Sequence, residues 1–406
     1  MTAAMVLRQA LALALGAAVS LGLARFSYAL LLGPMRADLG WSYFTAGAMN
    51  TGNAAGYLLG ALLMPRCLAR FGPRATALAG GLATAALLAL HGAATSDAVL
   101  MALRLGAGAA SAATFVAGGL LAARLGSQAI TATPATPGTP GTAAGRRPPG
   151  AGLVLGLYYG GTGLGIIVSA FLVPAFLDQG AAHGWQPAWQ ALGVVALAMT
   201  GLMALGTARD AAVAASAGAP VAVPWRRLGW ALAGYFCFGL GYIGYMTFIV
   251  TLLREQRLGE GAITAFYVLL GLGVVASSWL WAGLLQRWRG GQPLALLNAL
   301  LALATLGPVL SPHALAVFGS GALFGAVFLS VVASTTALVR HNLPAAAWPR
   351  GITGFTIVFA VGQIAGPSLV GRIADGPGGL ARGLAISAAL LALGAVLALF
   401  QRPLAR

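Results

Sequence analysis

The sequence predicts an all-α membrane protein with twelve transmembrane helices arranged as two pseudo-symmetric six-helix bundles. Three observations carry that reading. Of 406 residues, 59% are hydrophobic and only 7% charged, whereas soluble domains carry about 25% charged residues. Twelve apolar runs are long enough to cross a bilayer. A polar stretch divides them six and six, and the first helix of each half carries a similar heptapeptide.

The runs cover 7–33, 43–64, 75–95, 98–123, 152–177 and 188–206, then 228–252, 262–285, 292–310, 314–339, 352–374 and 380–400. The short gap near Thr95–Ala98 makes the third and fourth a helical hairpin. Residues 125–150 form a Thr/Pro/Gly tract without apolar period, which predicts a flexible cytoplasmic loop inside the N-terminal bundle 1–206. Residues 207–227 are Ala/Pro-rich and predict a cytoplasmic linker to the C-terminal bundle 228–406.

Arginine placement predicts the orientation. With the N-terminus inside, sixteen of the 23 arginines fall in cytoplasmic segments and five (Arg36, Arg254, Arg257, Arg372, Arg382) outside. By the positive-inside rule both termini are cytoplasmic, and the expected location is the bacterial inner membrane. Six of the seven acidic residues (Asp38, Asp97, Asp178, Glu255, Glu260, Asp375) fall outside, and none lies within a run. The net charge of +16 comes from arginines scattered between apolar runs, so nucleic acid is not an expected partner. Cys67 and Cys237 are placed in a loop and a helix, and no disulfide is expected. The N-terminal run is too long for a signal peptide, and Met35-Arg36-Ala37-Asp38 follows where a cleavage site would stand.

Arg25, in the first run, is the outstanding residue. The apolar segment Leu11–Leu32 holds one charge, and a cation at that depth needs a partner, an aqueous cavity or a route for its side chain to the interface. Its heptapeptide Gly22–Tyr28 (GLARFSY) aligns without gaps with Gly239–Tyr245 (GLGYIGY), pairing Arg25 with Tyr242 and Tyr28 with Tyr245. Asp38-Leu39-Gly40 and Arg257-Leu258-Gly259 follow at corresponding ends. Parallel repeats of this kind place a midplane site between two halves.

Pro65–Arg74 (PRCLARFGPR) resembles the loop motif Gly-x-x-x-Asp-Arg-x-Gly-Arg-Arg of the major facilitator superfamily, matching at Arg70, Gly72 and Arg74. Pro65, Ala69 and Pro73 stand in place of its glycine, aspartate and one arginine, so the aspartate that locks this loop to helix 11 is missing. Arg104-Leu105-Gly106-Ala107-Gly108 resembles the Arg-x-x-x-Gly motif of helix 4. Gly22–Pro34 and the stretch after it resemble the YbfB/YjiJ-type branch.

The resemblance implies a secondary active transporter working by alternating access, with helices 1, 4, 7 and 10 lining the path. It places Arg25 and Arg104 on neighbouring helices, where they could share one water-filled region, or where Arg104 serves structure or proton coupling by bonding helix 1 carbonyls. Arg70, Gly72, Arg74 and Arg104 are thus candidates for coupling or gating. Candidate substrate contacts are Arg25, Tyr28, Asn50, Asn53, Tyr158, Tyr242, Tyr245 and Gln363, the last beside Gly366-Pro367. Tyr159 also falls on helix 5. Gly160–Gly165 (GGTGLG) lies inside a span and reads as close helix packing.

A guanidinium without a carboxylate partner favours a small organic anion. With arginine in the N-half alone, a single or weakly acidic group fits better than a phosphate. Proton-coupled efflux of drug-like or sugar-like compounds is the rival expectation, and a non-transporting sensor or scaffold is a third. No catalytic set, metal site or cofactor is expected. The expected partners are a small molecule, the bilayer, and protons or a counter-transported anion; a monomer is expected.

Overall fold

The computed structural model describes residues 2–131, 151–178, 180–207 and 222–404, which form helices and turns with no strand. The first helix, α1, runs Ala3–Leu39. It is α-helical over Ala3–Ala17 and Tyr28–Leu39 and π-helical over Ala18–Phe26 between them. The next, Tyr43–His91, has 49 residues, on the order of 70 Å of helix and twice a bilayer's apolar thickness. It breaks at Gly72, whose φ of 75° and ψ of 164° are non-helical. A side chain there would be strained, and Pro73 opens the next helix with its φ already set. The arms before and after Gly72 are α2 and α3, each one span.

The remaining helices are α4 (Asp97–Thr131), α5 (Ala151–Phe176), α6 (Gln186–Gly206), α7 (Gly229–Glu255), α8 (Glu260–Leu280), α9 (Gln292–Leu310), α10 (Ala314–Asn342), α11 (Trp348–Ala374) and α12 (Gly379–Leu399). With α2 and α3 counted apart, the twelve expected spans are present. The expected loop 125–150 is corrected at its start. α4 continues to Thr131 because no proline interrupts it before Pro134. Residues 132–150, and 208–221 of the linker, lie outside the described residues. Trp225–Leu228 forms a 3₁₀ turn leading into α7.

The repeat is visible in the packing. A methyl group on Gly22 of α1 would stand 2.4 Å from the Gly165 Cα of α5. Its aligned partner Gly239, on α7, meets the backbone of Phe359 and Gly362 on α11. Each half thus opens with a helix whose glycine lets another helix approach backbone to backbone. The Gly160–Gly165 stretch is indeed packing: Gly161 faces the Ala14 carbonyl of α1, and Gly163 faces the Gly271 carbonyl of α8.

The halves meet along two seams, α5 on α8 and α2 on α11. On the second, Gly47 packs against the Pro367 carbonyl and Gly371 against that of Tyr43. All six acidic residues expected outside lie at or just beyond helix ends at the end of the bundle opposite the two termini.

Candidate functional site

Arg25 sits at the C-terminal end of the π-helical segment, where Ser27 N–H bonds the Gly22 carbonyl five residues back. It does not reach the interface: the residue is 4% exposed, and neither its Nε nor its Nη2 has a hydrogen-bond partner. The guanidinium lies 5.6 Å from the ring centroid of Tyr57 on α2. It is also within electrostatic reach of the Tyr242 hydroxyl on α7. Tyr242 accepts a hydrogen bond from Gln363 Nε2 of α11. Arg25, Tyr242 and Gln363, three of the expected contacts, are therefore brought together from α1, α7 and α11.

Arg104 is a different kind of arginine. It is 1% exposed. Its Nη1 donates to the Ala24 carbonyl (3.1 Å), its Nε to the Met49 carbonyl (3.3 Å) and its Nη2 to Asn50 Oδ1 (3.1 Å). It lies over the Tyr28 ring, 4.5 Å from the centroid. Each of the three Arg104 nitrogens thus donates to protein, one of them to a carbonyl of α1, and Arg104 lies within electrostatic reach of Arg25. The π-helical segment explains part of this, because π geometry redirects backbone carbonyls. Arg104 takes the Ala24 carbonyl and the Tyr267 hydroxyl of α8 takes that of Phe26 (2.6 Å).

Several expected substrate contacts are also hydrogen-bonded to protein. The Tyr28 hydroxyl donates to the Ala46 carbonyl (2.8 Å), and Asn50 Nδ2 donates to Thr247 Oγ1 (2.7 Å) while its Oδ1 serves Arg104. Asn53 donates to the Arg104 carbonyl (3.2 Å). The Tyr158 hydroxyl donates to the Phe115 carbonyl (2.5 Å). Tyr245 shares a hydrogen bond with Ser320 (2.6 Å) and stacks on Phe324 at 4.0 Å. Buried polar groups in a membrane span seek partners; each of these side chains has at least one, although the Asn53 Oδ1 has none. Of the loop-motif residues, Arg74 ties α3 to the end of α6 through the Ala204 carbonyl (2.8 Å) and Thr207 (3.3 Å). Gly72 makes the break, and Arg70 lies over Phe71.

One end of the bundle is closed. Asp375, just after α11, accepts the Tyr43 and Phe44 N–H groups at the start of α2 (2.7 and 3.0 Å). The Tyr43 hydroxyl bonds Glu255 of α7, and Arg36 lies over the Tyr43 ring at 3.8 Å. Arg254 of α7 donates to the Leu30 carbonyl of α1 (2.8 Å) and pairs with Glu260. A cleft of about 600 Å³, lined by Arg36, Asp38, Asp178, Thr251 and Arg254 among others, opens at this end.

Toward the termini the halves still touch along α5 and α8, where Gly156 meets Trp279 and Ser278. Among the described residues, every hydrogen bond between the halves lies between the middle of the helices and the closed end. Tyr159 of α5 faces the interior, beside Phe115 and within electrostatic reach of Tyr57 and Arg340, and is nevertheless 40% exposed. Its neighbours Thr162 and Ile166 on the same stripe, nearer the closed end, are fully buried. Tyr57, which sequence reasoning missed for want of any charge or motif, belongs to the same region. Among the described residues no cluster of His, Cys, Asp and Glu could hold a metal ion.

Two solved structures share this architecture. A bacterial homolog of the human lysosomal transporter Spinster, in an inward-facing and unoccupied conformation, is 13% identical, with a TM-score of 0.67 over 97% of this chain and 95% of its own. A mutant form of the nucleoside transporter NupG is 12% identical, with a TM-score of 0.70 over 96% of this chain and 99% of its own. At such identities the likeness shows the fold, that of the major facilitator transporters. No curated protein matches the chain by sequence. A family profile described as "Uncharacterised MFS-type transporter YbfB" matches residues 17–136 and 142–399. The chain belongs to that family: it is a multi-pass membrane transporter, not an enzyme.

Proposed function

We propose that the protein carries a small organic anion by alternating access, with Arg25 as the anchor for the anionic group. The observation that carries this reading is the uncommitted guanidinium: deeply buried, beyond any carboxylate, with Nε and Nη2 unpartnered. Such a charge is unfavourable in a low-dielectric interior unless a ligand neutralises it, and a guanidinium fork matches a carboxylate bidentately. Around it stand further donors. The Tyr242 hydroxyl accepts from Gln363 and keeps its own proton to donate. The arginine bias assigns the termini end to the cytoplasm, so this conformation is open inward.

Coupling follows from what the site lacks. With the six described carboxylates at or just beyond helix ends, no described Asp or Glu offers a mid-span ion site, and the substrate itself carries the proton or is exchanged for another anion. Reconstituted vesicles test this. Labelled monocarboxylate is expected to accumulate against an imposed pH gradient or a trans-loaded anion, and Arg25→Ala to abolish it. Accumulation that ignores both, or that survives Arg25→Ala, overturns the anion reading.

A further inference from the structure

Resting on that reading, we infer that the transported anion is an aromatic monocarboxylate: one carboxylate on Arg25, and a flat ring held between Tyr57 and the ring stack around Phe359. The wall opposite the cation is built of parallel rings. Tyr242 stacks on Phe238 (4.6 Å, 20°), on Phe359 (5.6 Å, 23°) and on Phe328 (6.1 Å, 11°). Phe26, adjacent to Arg25, meets Phe328 edge-on at 5.6 Å. Most of these rings are buried, but Phe359 is only half-buried.

Its exposure lies off the lipid-facing stripe of α11. On α11 the exposed apolar stripe is Ile357, Val361 and Leu369, at helical spacing. Phe359 lies instead with Gln363 and Pro367, the stripe that packs against α2 at the closed end. One turn toward the termini that stripe reaches Thr356, a polar residue that is exposed. Phe359 is thus the first residue of the stripe that is not fully buried. Tyr57, half-buried on α2, brings a second ring from the other half, with its face toward Arg25.

The charge count limits the ligand to one carboxylate. Arg104, the other cation at this depth, already donates from each of its three nitrogens, to Ala24, Met49 and Asn50. A second carboxylate on the far side of the ring would lie against Phe359 and Phe328 without a partner. Each aromatic pair adds a factor of roughly 2 to 12 beyond area burial, so two ring faces select an aromatic acid over an aliphatic one by roughly 4- to 140-fold.

The test is competition binding on the full-length purified protein with benzoate, cyclohexanecarboxylate, butyrate, benzene-1,4-dicarboxylate and neutral benzamide. Benzoate is expected to bind at least about fourfold more tightly than any of the others. Phe359→Leu is expected to reduce the benzoate-to-butyrate ratio severalfold, whereas the lipid-facing Val361→Ala leaves it unchanged. Equal or tighter binding of butyrate or cyclohexanecarboxylate overturns the aromatic inference while the anion reading stands. Benzamide binding as well as benzoate, or no binding by any of the acids, overturns both. A Phe359→Leu protein that folds and keeps the full benzoate preference removes that ring from the site.

Discussion

The two buried arginines should respond oppositely to the same substitution. Arg104→Met removes three hydrogen bonds and leaves the Ala24 and Met49 carbonyls and Asn50 Oδ1 without the donor they have now. Each orphaned buried acceptor costs about 1–3 kcal/mol, and breaking a buried charged network costs about 3–5 kcal/mol in all. Arg25→Met orphans no protein acceptor, because the Arg25 Nε and Nη2 bond none, and it replaces a desolvated charge with an apolar chain of similar length. Its expected effect on the fold is between neutral and about 1–2 kcal/mol stabilising. The assay is thermal unfolding of the purified proteins in one detergent, run beside benzoate binding. Arg104→Met should unfold well below the parent, and Arg25→Met at or above it but without measurable binding. If Arg25→Met unfolds as early as Arg104→Met, Arg25 is structural and the site is misassigned. A fully stable Arg104→Met would refute the energetic reasoning for both.

Three other outcomes follow from the geometry. Asp375→Asn combined with Glu255→Gln weakens the contacts that close the end away from the termini. A single cysteine placed at Thr251, which is 5% exposed, should then react severalfold faster with an impermeant thiol reagent; an unchanged rate would mean that these carboxylates do not hold that end shut. Gly22→Val places a branched side chain where even a methyl would stand 2.4 Å from the Gly165 Cα, and overpacking of this kind costs about 1–3 kcal/mol or more. Its folded yield should fall, whereas Gly201→Ala, where a methyl meets nothing within 4 Å, should match the parent. Arg74→Ala removes the tie to Ala204 and Thr207 and should lower the unfolding temperature slightly while leaving substrate affinity intact; a large loss of affinity would reassign Arg74 to gating.

Much of this protein was legible in the sequence because a bilayer is an unforgiving solvent. Only helices satisfy their own backbone in it, so length and hydropathy alone yielded twelve spans, and the heptapeptides at Gly22 and Gly239 exposed the repeat that the α1–α5 and α7–α11 contacts display. Arg25 stood out for the same reason, as a charge where charges are strongly disfavoured. Sequence could not say which polar residues were already satisfied, because satisfaction is a property of neighbours distant along the chain. Tyr28, Asn50, Tyr158 and Tyr245 look as available in one dimension as Tyr242, yet each has a donor committed across a helix interface, whereas the Tyr242 hydroxyl accepts from Gln363. The π-helical turn at Ala18–Phe26, which hands the Ala24 carbonyl to Arg104 and that of Phe26 to Tyr267, has no motif. Tyr57 and Phe359 read as ordinary core aromatics, yet both are only half-buried. Sequence alone determined the fold, the repeat and the two charges inside apolar runs, Arg25 and Arg104. Tertiary structure decided which of two buried arginines is bonded to protein through every nitrogen and which has two nitrogens without a protein partner.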